Sequence, residues 1–174
     1  GGNATTTYRM SMGSIQQTGV VPNSDFTRTS VKFAGETRLS SKVKTAASAT
    51  YVKSGGTRIQ QGSNTSGLML GLLRTPISFD NANGLEDPVN ETGSYLMPDG
   101  TQRNFRGGGG YDNPYWTVNQ TPHTDDVNRM FGFTSINVDL TSWLNAFYRV
   151  GTDFYSDRRK QVFAIGSRTL PAGQ

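Results

Sequence analysis

The sequence predicts an all-β fold, specifically an antiparallel transmembrane β-barrel segment of about five strands with long extracellular loops. First, polar and apolar residues alternate with period two over stretches longer than the ~5–6 residues of an average strand and close to the ~9–11 that cross a bilayer. Second, only 33% of the residues are hydrophobic and 17% charged, against ~45–50% and ~25% in soluble domains. Third, short and long connections alternate, as they do between the two rims of an outer-membrane barrel.

The clearest element is a hairpin with strands near residues 27–39 and 43–54, joined by a tight turn. Val31, Phe33 and Tyr51 fall on one face of this hairpin, and charged residues fall on the other. The charged face is predicted to line a barrel lumen or to contact a plug domain, because water reaches charge there. The predicted lumen-facing residues are Arg28, Lys32, Glu36 and Arg38 here, and Arg149 and Asp153 further along the chain.

Three further strands are predicted near residues 6–17, 128–140 and 144–155, separated from the hairpin by a long extracellular loop at 55–127. In the strand at 128–140, Phe131 and Phe133 fall on the polar side and weaken the alternation. Five strands are too few to close a bacterial barrel. We therefore expect the chain to be a fragment of a larger wall, since an open edge in lipid leaves backbone groups unpaired.

Composition excludes several classes of function. The chain has no cysteine and one histidine, His123, so neither a thiol site nor a zinc site is predicted, and no cofactor, catalytic residue or enzymatic activity is expected. The acidic residues of the long loop lack the ligand spacing of an EF-hand, which favours a solvated polar loop over a calcium site. Its net charge of +4 is spread along the strands, which argues against nucleic acid. No apolar run reaches the ~18 residues of a membrane helix, and no signal peptide is recognisable.

The long loop contains two informative segments. Ser66–Arg74 has leucines at helical spacing and is followed by Pro76, which predicts a short helix that packs the loop locally. The segment from 111 to 116 combines rings that stack on sugars or on a protein partner with hydrogen-bonding groups. The predicted residues for binding substrate or partner are Tyr111, Asp112, Asn113, Tyr115 and Trp116.

The order of these segments resembles that of a known family. The opening GGNATTTYRMSMGSIQQTGVVPNSDFTRTSVKF, followed by LLRTPISFD, YLMPDGT, DNPYW and DDVNRMFG, is similar to the barrel of SusC/RagA TonB-dependent outer-membrane transporters. The resemblance implies a 22-stranded barrel, whose chain crosses the outer membrane of a Gram-negative cell many times. It also implies an N-terminal plug, which this sequence lacks, energy from the TonB complex, a SusD-like surface lipoprotein, contact with outer-membrane lipid, and import of glycans or peptides.

Two alternatives remain open at this point. The first is a secreted carbohydrate-binding β-sandwich, in which the apolar faces of two sheets meet each other and not lipid. The second is a barrel protein captured as a client or subunit of another outer-membrane assembly. The substrate is not predictable from the sequence in any of these cases.

Overall fold

The computed structural model describes residues 1–62, 65–107 and 110–168. Within them it contains five strands, β1 (Thr6–Thr18), β2 (Asp25–Arg38), β3 (Val43–Arg58), β4 (His123–Asp139) and β5 (Asn145–Gln161). The connection between β3 and β4 includes the α-helices α1 (Leu68–Arg74) and α2 (Pro114–Gln120) and a short 3-10 helix, Thr92–Ser94. The predicted loop and domain also include residues 63, 64, 108, 109 and 169–174, which lie outside the described residues.

The five strands form one sheet in the order β1-β2-β3-β4-β5. β2 and β3 pair antiparallel, with Val31 opposite Tyr51 and Phe33 opposite Ala49. The predicted all-β antiparallel fold is therefore confirmed. The sheet is open, because β1 and β5 lie at its two edges.

The strands extend beyond their predicted ends, above all where they adjoin the long connection. β3 continues to Arg58, β4 begins at His123 and β5 continues to Gln161. The alternating pattern does not predict these extensions. Gly55 and Gly56 carry no side chain, and the residues that follow are polar on both faces. A Cβ at position 56 would lie 2.2 Å from the Asp25 carbonyl oxygen, so glycine permits a close backbone approach there.

The chain divides into two compact units. Unit 1 consists of residues 1–16, 27–55 and 126–158, and unit 2 of residues 17–26, 56–125 and 159–174. Unit 1 contains most of the sheet. Unit 2 contains α1 and α2, which pack against each other.

The sheet in unit 1 has two chemically different faces. Tyr8, Phe33 and Ala47 line one shallow depression of about 440 Å³, and the hydroxyls of Thr6 and Thr37 hydrogen-bond on the same side at 2.7 Å. Arg9, Lys32, Ser48 and Phe133 line a depression of about 370 Å³, which lies on the opposite side because successive strand residues alternate between faces. The period-two pattern thus becomes an apolar face and a polar face.

The two phenylalanines that interrupt the alternation of β4 are covered by arginine on the polar face. The Arg129 guanidinium lies 5.2 Å from the Phe131 ring centroid, and that of Arg149 lies 4.4 Å from the Phe133 centroid. An arginine over an aromatic face is attracted to the ring quadrupole and shields apolar carbon from water. These contacts account for aromatic rings on a face that is otherwise polar.

Candidate functional site

Unit 2 contains an open cleft of about 700 Å³, a size usual for ligand sites. The ends of all five described strands and the β1–β2 connection supply its walls. Its lining combines one aromatic ring with amide, imidazole, guanidinium and carboxylate groups. The lining side chains that bear on ligand chemistry are Asp25, Phe26, Arg58, Gln61, His123 and Gln161.

The guanidinium that lines the cleft is paired with a carboxylate and held in place. Arg58 makes a bidentate pair with Asp125, with Nε 2.5 Å from Oδ1 and an η nitrogen 3.1 Å from Oδ2. Its guanidinium also lies 5.2 Å from the Phe26 ring centroid. Two parallel hydrogen bonds hold the plane of the guanidinium in one orientation. The cleft therefore presents a flat, charge-compensated surface.

Hydrogen-bonding groups surround this surface. The Asp25 carboxylate accepts a bond of 2.8 Å from the Thr57 backbone N–H. The buried Gln60 side chain accepts a bond from Gln161. The arrangement supplies donors and acceptors beside an aromatic ring, which suits binding of a polyhydroxylated or amide-containing ligand.

The predicted binding segment at 111–116 is mostly internal to unit 2. Asp112 is 3% exposed, Asn113 1% and Trp116 6%, whereas Tyr111 and Tyr115 are half-buried. Only the two tyrosines of the five predicted residues therefore reach a ligand without rearrangement. A binding role for the segment stays a prediction.

Asn113 is the N-cap of α2 and is fully hydrogen-bonded. Its side-chain oxygen accepts from the Tyr115 N–H at 2.8 Å, and its amide nitrogen donates to the carbonyls of Ser94 at 3.2 Å and Arg103 at 2.8 Å. Asparagine followed by Pro114 is a favourable start for a helix. Asn113 thus connects three segments of unit 2.

Asp112 and Trp116 also hold unit 2 together. The Asp112 Oδ1 accepts from Gln102 at 2.9 Å and from the Arg168 backbone N–H at 2.8 Å, while Oδ2 is buried with no hydrogen-bond partner in the described part of the chain. Burial disfavours the charged form and raises the pKa of the Asp112 carboxyl above 3.8. The Trp116 indole N–H donates to Ser167 at 2.9 Å.

The predicted lumen-facing residues share the polar face of unit 1. Arg28, Lys32, Glu36 and Arg38 alternate along β2 and lie opposite Ser54, Thr50, Ala46 and Lys44. Asp153 pairs with Arg129, and Arg149 contacts Phe133, which adjoins Lys32 in the same depression. The structure brings these side chains to one face, and their position in a lumen stays a prediction.

Sequence reasoning missed the cleft of unit 2. Arg58 lies beyond Gly55–Gly56, where the alternating pattern stops, and His123 was considered only as a catalytic candidate. One signal was available: Arg58 and Asp125 have opposite charge and lie at the ends of consecutive strands. A hairpin-like pairing across the long connection would have placed them side by side.

No known family profile matches the chain, and no curated protein matches it.

None of the described helices is both long and apolar enough to span a membrane. Over the ranges 1–62, 65–107 and 110–168, no group of three or more histidine or acidic side chains is placed to hold a metal ion.

Proposed function

We propose that the chain is a wall segment of a SusC/RagA-like TonB-dependent transporter in the outer membrane of a Gram-negative cell. In this role the apolar face of unit 1 contacts lipid, the polar face lines the lumen or meets a plug, and the cleft of unit 2 contacts the imported glycan or peptide. A SusD-like lipoprotein and the TonB complex are the expected partners. The function is binding and passage of nutrient across the membrane.

The observation that carries the proposal is the exposed apolar face of unit 1. Met12 is 72% exposed, Phe33 53% and Val150 55%, and all three project from the same side of the sheet by strand periodicity. Soluble monomers rarely leave contiguous apolar patches larger than a few hundred Å² uncovered. A face of this kind on every strand is what the lipid side of a barrel requires.

The alternative of a β-sandwich is less well supported. A sandwich needs two sheets whose apolar faces cover each other, and all five strands of the described residues belong to a single sheet. The polar face further distinguishes the sheet from one buried on both sides, because it carries Arg129 paired with Asp153. A sheet with one apolar face and one polar face favours a barrel wall.

Site-directed spin labelling can test the proposal, because the chain has no cysteine and each introduced cysteine is therefore a unique label site. Ser11 and Met12 are neighbours on β1 whose side chains fall on opposite faces. Nitroxides at Ser11→Cys and Met12→Cys would be compared in detergent micelles, whose acyl chains can cover open sheet edges as well as the apolar face. We expect the label at position 12 to be relaxed mainly by oxygen and the label at 11 mainly by a water-soluble nickel complex.

A second pair on another strand makes the result specific. Val150→Cys should behave like Met12→Cys, and a label at the neighbouring Gly151 should behave like Ser11→Cys. If all four positions were equally accessible to the nickel complex, or if the chain stayed soluble and monomeric without detergent, the membrane role would be wrong.

A further inference from the structure

Unit 2 contains a cluster of three aromatic rings that is separate from the residues lining the cleft. The Phe105 and Tyr111 rings are stacked, with centroids 5.8 Å apart and planes inclined by 13°. Phe79 meets Phe105 edge-on at 6.4 Å. All three rings are half-buried, so the cluster is anchored in unit 2 and still reaches solvent.

Three arginines surround these rings. The guanidinium carbons of Arg74 and Arg106 lie 4.6 Å and 4.8 Å from the Tyr111 centroid, and that of Arg103 lies 4.4 Å from the Phe79 centroid. Both of these guanidinium groups are therefore held beside the Tyr111 ring. The rings restrict their motion, which lowers the entropy lost when an anion binds.

One arginine of this arginine–aromatic cluster, Arg106, carries a charge that no described carboxylate pairs with. Arg106 is exposed, and no carboxylate of the described chain lies within salt-bridge distance of it. Arg103 instead donates to the Ser94 carbonyl at 3.3 Å.

One acidic group acts on the cluster. Asp80 interacts electrostatically with Arg103, and its two oxygens accept backbone N–H bonds from Ala82 at 2.8 Å and Gly84 at 2.6 Å. Its carboxylate is therefore held by the local turn. Arg106 keeps a positive charge that no described carboxylate pairs with, at a partly exposed aromatic surface.

We propose that the arginine–aromatic cluster binds a carboxylate-bearing saccharide, that is, a uronate residue of an acidic glycan. A carboxylate matches the planar fork of arginine, which favours Arg106 as its direct partner. In a uronate the carboxylate is fixed to the pyranose ring, so binding it to Arg106 brings the apolar C–H face of the sugar beside the half-buried rings of the cluster. An aspartate or glutamate side chain carries the same charge but offers no rigid apolar face and loses more rotamer freedom on binding.

Binding at the cluster requires only that unit 2 be folded. The assignment of this ligand as imported cargo does rest on the proposed transporter function. The two can fail separately, because spin-label accessibility on β1 and β5 tests lipid contact, whereas ligand affinity tests the cluster.

The test is isothermal titration of the full chain in micelles with tetragalacturonate, using its fully methyl-esterified form as the matched neutral ligand. We expect the acid to bind and the ester to bind at least about tenfold more weakly, with affinity for the acid falling as salt is added. Arg106→Ala should weaken binding of the acid about tenfold, and Arg106→Lys should restore only part of it, since lysine keeps the charge but not the fork. Arg158→Ala removes the same charge from an exposed position in unit 1 and should have no effect.

Three results would overturn the proposal. Equal affinity for the acid and the ester would show that the cluster does not recognise the carboxylate. An equal loss with Arg158→Ala would show non-specific attraction to positive charge. Tighter binding of tetraglutamate than of tetragalacturonate would assign the cluster to an acidic polypeptide. Unchanged near-ultraviolet circular dichroism of Arg106→Ala would verify that unit 2 remains folded in each comparison.

Discussion

Replacing Asn113 by alanine should destabilise unit 2 by about 2 kcal/mol, because this 1%-exposed side chain satisfies three separate backbone groups. Loss of the N-cap bond to Tyr115 costs about 1 kcal/mol. The Arg103 carbonyl then loses its donor inside the protein, at about 1 kcal/mol, whereas the Ser94 carbonyl keeps the bond from the Arg103 guanidinium. The total is a large fraction of the stability of a small domain.

Asn113→Asp separates the acceptor from the donor function of this side chain. Aspartate keeps an oxygen that can accept from Tyr115, but it replaces the amide donor with a carboxylate directed at two carbonyl oxygens. We expect Asn113→Asp to be at least as destabilising as alanine at neutral pH. Acidification should recover part of the loss, since a protonated carboxyl can donate one hydrogen bond.

Urea unfolding followed by the fluorescence of Trp116 provides the measurement. The chain has two tryptophans, and the other, Trp143, is exposed in the β4–β5 turn. A Trp143→Phe background therefore leaves one reporter that is buried in unit 2. Stability is compared from the midpoint and slope of each unfolding curve.

The reasoning would be refuted if Asn113→Ala unfolded within about 0.5 kcal/mol of the parent, the range of ordinary surface substitutions. It would also be refuted if Asn113→Asp matched the parent at neutral pH. Either result would mean that the side chain does not hold the three segments, and the prediction that Asn113 binds a ligand would regain weight.

Two further predictions concern Asp112 and a glycine in β4. Because burial raises the pKa of Asp112 above 3.8, its protonated form stabilises unit 2 at low pH, and that stability is lost as pH rises through the raised pKa. Asp112→Asn cannot ionise and should remove this part of the pH dependence, measured as urea midpoints from below pH 3.8 to neutral pH. At Gly132, a Cβ would lie 2.2 Å from the Ser48 carbonyl oxygen, whereas at Gly13 it would lie 3.2 Å from a side-chain hydroxyl. Gly132→Ala should therefore lower the thermal midpoint of the sheet by circular dichroism much more than Gly13→Ala, and equal effects would contradict the close approach.

Alternation predicted the strands because each one has two chemically different faces. The pattern failed at the strand ends for a physical reason: Arg58, His123 and Gln161 lie among residues that are polar on both faces, so pairing continues without a hydrophobic signal. Phe131 and Phe133 broke the pattern in the sequence, and only contacts from Arg129 and Arg149 explain why they are tolerated.

The long connection was partly predictable. The leucine spacing before Pro76 predicted a short helix, and α1 (Leu68–Arg74) lies there. Helix α2 was missed although Asn113 and Pro114 are a recognisable start signal, because the aromatic residues that follow were interpreted as a binding surface. The cleft and the arginine–aromatic cluster of unit 2 depend on contacts between segments far apart in sequence, which periodicity cannot reveal.

The edge position of β5 has a practical consequence. This strand is 17 residues long and exposed along its whole length, so its outward N–H and C=O groups form a ready template for another extended chain. Copies that meet edge to edge would continue the hydrogen-bond ladder and grow into ribbons. A low protein concentration, or a peptide that pairs with the edge of β5, should keep the protein monomeric.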